Sequence, residues 1–68
     1  MSQELNELNR MLDSLNKQLG DIAELLAEIA AWKDSAHKQQ VFDAVFSNQA
    51  TLLRLSKQVT DRLTQLGL

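Results

Sequence analysis

The chain has 68 residues, 44% of them apolar, and a net charge of −2, so it forms at most one domain and is too apolar to be disordered. It contains no cysteine and one histidine, which excludes disulfides, thiol catalysis and multi-histidine metal sites, and nothing in the composition implies a cofactor. A domain this short has a marginal core, so association with another chain is the expected remedy. No signal peptide or membrane-spanning run is visible, and the lack of cysteine leads us to expect a cytoplasmic protein without membrane contact.

The first half carries a heptad pattern of apolar residues. The spacing of three and four residues holds for four heptads and predicts one amphipathic helix over about residues 2–32, with Ser2 as its N-cap. Gly20 could mark a helix stop, but the pattern crosses it without a slip, which favours a continuous helix. The heptad a positions are Leu5, Leu12, Leu19 and Leu26, and the d positions are Leu8, Leu15, Ile22 and Ile29.

The second half carries a broader and less regular stripe, which predicts a helix over about residues 36–66. A tight turn at about 33–36 joins the helices, and Asp34 or Ser35 is the expected N-cap. Gly67 is a left-handed stop signal that would fold Leu68 back onto the helix. The core residues predicted from this stripe are Val45, Leu52, Leu55, Val59, Leu63 and Leu66.

A polar pair, Asn48 and Gln49, lies in or beside this stripe. Either one amide faces a neighbouring helix, where it could fix the register, or the helix restarts near Ser47. Of the two amides, Asn48 is the better candidate for the buried one.

Several features favour an all-α helical hairpin, coiled-coil-like, that assembles as a dimeric four-helix bundle of a single domain, 1–68. The two predicted helices have equal length, and residues 1–34 carry seven acids and three bases (net −4) against two acids and four bases (net +2) in 35–68. The positions beside the first seam are mostly uncharged, so the apolar face is wide enough for more than one neighbouring helix. These are the e positions Asn9, Asn16, Ala23 and Ala30, and the g positions Glu4, Met11, Gln18, Leu25 and Trp32.

All three aromatic residues are expected near the hairpin tip. Buried aromatic side chains ringed by polar groups are typical of binding hot spots, whereas the same residues at helical spacing can simply close one end of a bundle core, and the spacing favours the core. The candidate partner-binding residues are Trp32, Phe42, Phe46, Met11 and Leu25.

Catalysis and nucleic-acid binding are the competing functional classes. His37 lies close to Asp34 and Ser35 in sequence, but a solvated turn provides neither a buried carboxylate nor an oxyanion hole, so no enzyme is predicted. Arg54, Gln58 and Arg62, four residues apart, form one line on the second helix with Lys57 nearby, a basic line that could contact a phosphate backbone. The isoelectric point of 5.1 and the lack of interleaved aromatics disfavour nucleic acid.

The sequence therefore predicts a non-enzymatic protein–protein interaction module. An adaptor, a secretion-type chaperone and an inhibitor of a larger protein machine all fit, with a second copy and a larger protein as the expected partners. The alternative is a dimeric nucleic-acid-binding regulator of the small helical-hairpin type that uses the basic line.

Overall fold

The computed structural model describes residues 3–67, and its two helices pack against each other as an antiparallel hairpin. Helix α1 spans Gln3–Ala30 and helix α2 spans Ala36–Gln65. The predicted all-helical hairpin is confirmed. Helix α1 continues through Gly20 without a break, as the unbroken heptad register predicts. The predicted N-cap Ser2 and the predicted contact of Leu68 lie outside the described residues.

The first helix ends at Ala30, two residues before the predicted end. Its last turn tightens, because the backbone N–H groups of Ala31 and Trp32 donate to carbonyl oxygens three residues back at 3.1 and 3.0 Å. Trp32 is therefore a turn residue and not part of α1.

Both ends of α2 follow their sequence signals. Ser35, rather than Asp34, is the N-cap, and its hydroxyl accepts the backbone N–H of Lys38 at 3.0 Å. Gly67 has a φ of 90° and donates its backbone N–H to the Thr64 carbonyl oxygen, so the helix is terminated by a residue in the left-handed region that glycine tolerates.

The core is a single seam between the helices. Ile29 is fully buried, and the d positions of α1 are its most buried row. The predicted core residues found in or against this seam are Leu5, Leu8, Leu12, Leu15, Leu19, Ile22, Leu26, Ile29, Val45, Leu52, Val59 and Leu63. Within residues 3–67 each helix has only the other helix to pack against, so this seam is the hairpin's core.

The burial pattern in α2 differs from the predicted stripe. Its seam runs at spacings of three and four through Phe42, Val45, Gln49, Leu52, Ser56, Val59 and Leu63. This phase leaves Leu55 outside the seam and exposed, and Leu66 is exposed at the open end of the hairpin. It also makes Gln49 the half-buried amide, whereas Asn48 is exposed, so the preference for Asn48 was wrong. The helix runs through both residues without restarting at Ser47.

Candidate interaction surface

An interhelical ion pair shows how the two helices are aligned along the seam. Arg62 donates to the Glu4 carboxylate, with Nη2 2.7 Å from Oε1. Glu4 is a g position, and in an antiparallel pair each heptad step along α1 matches a step back along α2. Met11 therefore lies opposite Leu55, and both line one groove. On the other side of the hairpin Ala30 lies opposite Gln39, and both line a second groove near the turn.

The two sides of the seam are covered unequally. On one side, large g residues such as Met11, Leu25 and Leu55 flank the d rows, where Leu15, Leu52 and other residues are buried. On the other side, the e residues of α1 are only asparagine and alanine, and the adjoining a rows remain half-buried except at the open end of the hairpin, where Leu63 packs as a buried residue beside Leu5. These half-buried residues are Leu12, Leu19, Leu26, Phe42, Gln49 and Ser56. The hairpin thus leaves one side of its own core partly uncovered.

We call this side the open face, defined by those six half-buried residues and by the flanking Asn16, Gly20, Ala23, Phe46 and Leu53. Phe46 is 55% exposed and Leu53 is 54% exposed, the two highest values among the large apolar side chains of residues 3–67. Both lie on α2. The α1 flank opposite them has no large side chain at all: by the register, Ala23 faces Phe46 and Asn16 faces Leu53.

The two phenylalanines of the open face support each other. Their rings stack with centroids 6.2 Å apart and an interplanar angle of 14°. Phe42 is half-buried in the seam, so it anchors the stack while Phe46 projects from the hairpin. The candidate residue Phe46 is therefore held on a rigid helix in an exposed position.

The opposite side, the Met11 face, is defined by Met11, Gln18, Leu25, Val41, Asn48 and Leu55. The groove there has a volume of about 260 Å³ and is lined by Met11, Ser14, Leu15, Gln18, Leu55, Gln58 and Val59. Met11 and Leu25 are exposed. These candidate partner-binding residues thus lie on a different face from Phe42 and Phe46.

At the turn, Trp32 is 45% exposed and does not close the core of the single hairpin. The turn is held instead by Lys38, whose ammonium group donates to the carbonyl oxygens of Ala30 and Trp32 at 3.0 Å each and to Asp34 at 3.1 Å. For the exposed Trp32 and Phe46, either interpretation, as an end of a bundle core or as a binding site, requires a second molecule.

The predicted basic line is mostly neutralised within the hairpin. Arg62 pairs with Glu4, and Lys57 pairs with Asp61 at 2.9 Å. Among residues 3–67, Arg54 is the one member of the line without an ion pair. One free arginine offers little attraction to a phosphate backbone, whose binding scales with the number of neutralised phosphates.

The described residues show no constellation typical of a metal site, since residues 3–67 contain no group of three or more His, Asp or Glu side chains that could hold an ion. His37 is exposed at the start of α2. Neither α1 nor α2 combines the length and apolar character needed to cross a membrane.

Comparison with known protein families, curated proteins and solved structures found no match to this chain. The geometry of the two faces is therefore the basis for assigning a function.

The sequence did not predict Leu53 or Gly20 as members of a candidate site. Leu53 appears as part of an apolar row in the sequence, and only the phase of the seam shows that it points away from the core. The signal for Gly20 was present as a glycine in the middle of an unbroken heptad pattern.

Proposed function

We propose that this chain is a small, non-enzymatic protein–protein interaction module whose open face binds a second copy, giving a dimeric four-helix bundle. The half-buried a rows of the two copies would pack together as the core of the bundle, and the exposed Phe46 and Leu53 extend this apolar surface. In a closed two-fold dimer the same patch on each copy covers the other.

The observation that carries the proposal is the surface area of the hairpin. It exposes 5116 Å², whereas a compact monomer of 7.7 kDa is expected to expose about 4,300 Å². The excess of roughly 800 Å² is about what each partner contributes to a stable protein–protein interface. The hairpin is also only one helix layer thick, with extents of 52 × 15 × 14 Å, so one long face is a footprint of this size.

A second copy on the open face leaves the Met11 face and the turn available. Exposed Met11 and Trp32 are residue types enriched at protein interfaces, and exposed Leu25 adds apolar area. The groove beside Met11 is lined by buried Leu15 and Val59. We assign these surfaces to the larger protein partner of an adaptor, a secretion-type chaperone or an inhibitor of a protein machine.

The self-association is tested by light scattering coupled to size exclusion, together with circular dichroism melts at two concentrations tenfold apart. We expect twice the mass of 7.7 kDa and a melting temperature that rises with concentration, since a dimer is stabilised by mass action. A folded particle with the mass of one chain and a concentration-independent melting temperature would overturn the proposal.

A further inference from the structure

We infer that the two copies are related by a two-fold axis parallel to the helices, so that α2 of each copy lies across α1 of its partner and Phe46 packs against the partner's Ala23 and Gly20. This inference rests on the proposed dimer and adds its orientation. Two two-fold arrangements bring the open faces together. The second has its axis across the helices and places α1 on α1 and α2 on α2.

Side-chain size distinguishes the two arrangements. Within one hairpin Phe46 lies at the level of Ala23, and Leu53 lies at the level of Asn16. A rotation about the long axis keeps these levels, so each large, exposed residue of α2 meets a small residue of the partner's α1. The alternative places Phe46 and Leu53 against the same large side chains of the partner and leaves alanine facing alanine.

Gly20 provides an independent observation. A Cβ atom built on it meets nothing within 4 Å, and its backbone φ is not positive, so the hairpin itself has no need for glycine there. A glycine in the middle of a helix is destabilising relative to alanine, and one use of it is the close approach of another backbone. In the inferred dimer Gly20 lies at the level of the partner's Ala50, where two small residues let the helices approach closely.

Charge favours the same arrangement. Within residues 3–30 six acids and two bases give α1 a net charge of −4, whereas two acids and four bases give α2 a net charge of +2. Laying α2 across the partner's α1 pairs opposite charges, and it brings Asp13 to the level of the partner's Lys57. The alternative pairs the acidic helix with another acidic helix, which like-charge repulsion disfavours.

The test uses the lack of cysteine in this chain. Gly20→Cys and Ala50→Cys are prepared separately, mixed in the reduced state to exchange subunits, and oxidised gently. A disulfide needs Cα atoms within about 7 Å, so it forms only between positions that face each other closely. We expect the mixed disulfide between the two variants to exceed both same-variant disulfides at least tenfold on non-reducing gels and by mass spectrometry.

Glu24→Cys and Arg54→Cys, both at outward positions, provide the control pair and should not cross-link above background. Predominant same-variant disulfides, or no disulfide in a sample that light scattering shows to be dimeric, would overturn the inferred orientation and leave the dimer intact. A folded wild-type chain that scatters as a monomer would instead overturn the proposed function, so the two failures are distinguishable.

Discussion

At the scale of single residues, Lys38 stabilises the turn through contacts that its position in the sequence does not indicate. Helix α1 has no basic residue in its last turn, and Lys38 supplies this positive charge from α2 while donating to two carbonyl oxygens near the end of α1. Its side chain is only 19% exposed. Asp34, its third partner, is almost fully solvated and adds little.

Substituting Lys38→Met should therefore weaken the hairpin while preserving helix propensity. We expect the free energy of unfolding to fall by about 1–3 kcal/mol, the range for losing hydrogen bonds from a charged group. The melting temperature, followed by circular dichroism at one fixed protein concentration, should fall by several degrees. Lys17→Met, at an exposed outward position, is the control, and an equal effect of both variants would show that the cap at the turn is unimportant.

The heptad pattern and the capping signals do not predict the hydrogen bonds of Lys38. Its role depends on the path of the turn, which brings the end of α1 within reach of the first turn of α2. Local signals did predict the Ser35 cap and the Gly67 stop, because each involves residues only a few positions apart.

At the scale of the helices, α1 could be predicted almost completely and α2 could not. Every a and d position of α1 is leucine or isoleucine, so its register is visible in the sequence. In α2, Gln49 and Ser56 take seam positions while Leu53 and Leu55 lie outside, so the apolar residues do not mark the seam. The phase became clear only from burial and from the Glu4–Arg62 ion pair.

Substitution of Gln49, a polar residue in the seam, tests the observed phase of α2. Replacing it with leucine should raise the free energy of unfolding by about 1 kcal/mol, because a half-buried polar group in an otherwise apolar row is exchanged for apolar area. Asn48→Leu, one residue away and exposed, should change it by no more than about 0.5 kcal/mol. Urea unfolding of both variants at one concentration measures the difference, and a larger gain for Asn48→Leu would contradict the observed phase of α2.

Gly20 offers a test in which helix propensity and association have opposite effects. Gly20→Leu should favour α1 by somewhat less than 1 kcal/mol as an isolated helix, and the space around it within the hairpin is empty. If the partner's helix approaches here, the added side chain keeps the copies apart. We expect a helical chain whose mass by light scattering falls toward that of a monomer, whereas Glu24→Leu, on the outward side of the same helix, remains dimeric. A dimer unaffected by Gly20→Leu would exclude close packing at this position.

At the scale of the whole molecule, the shape of the hairpin limits what it can do alone. A single layer of two helices, 52 Å long and about 15 Å wide, has no interior beyond one seam, so each core side chain depends on flanking residues for cover. Large g residues provide that cover beside the d rows, whereas beside the a rows the flanking residues of α1 are small and Phe46 and Leu53 of α2 remain exposed. The sequence showed that the apolar face is wide, but the unequal cover of its two sides is a property of the packed pair.

Matched double substitutions on the two faces can show which of them is the dimer contact. Phe46→Ser with Leu53→Ser removes two exposed apolar side chains from the open face, and Met11→Ser with Leu55→Ser removes two from the Met11 face. Because all four positions lie outside the buried core, each pair should leave the helical circular dichroism signal at low temperature largely intact. Only the open-face pair should reduce the mass measured by light scattering to that of one chain, since only that face is the proposed dimer contact. Dissociation caused by the Met11-face pair alone would move the dimer contact to the other side of the hairpin and make the open face the surface for the larger partner.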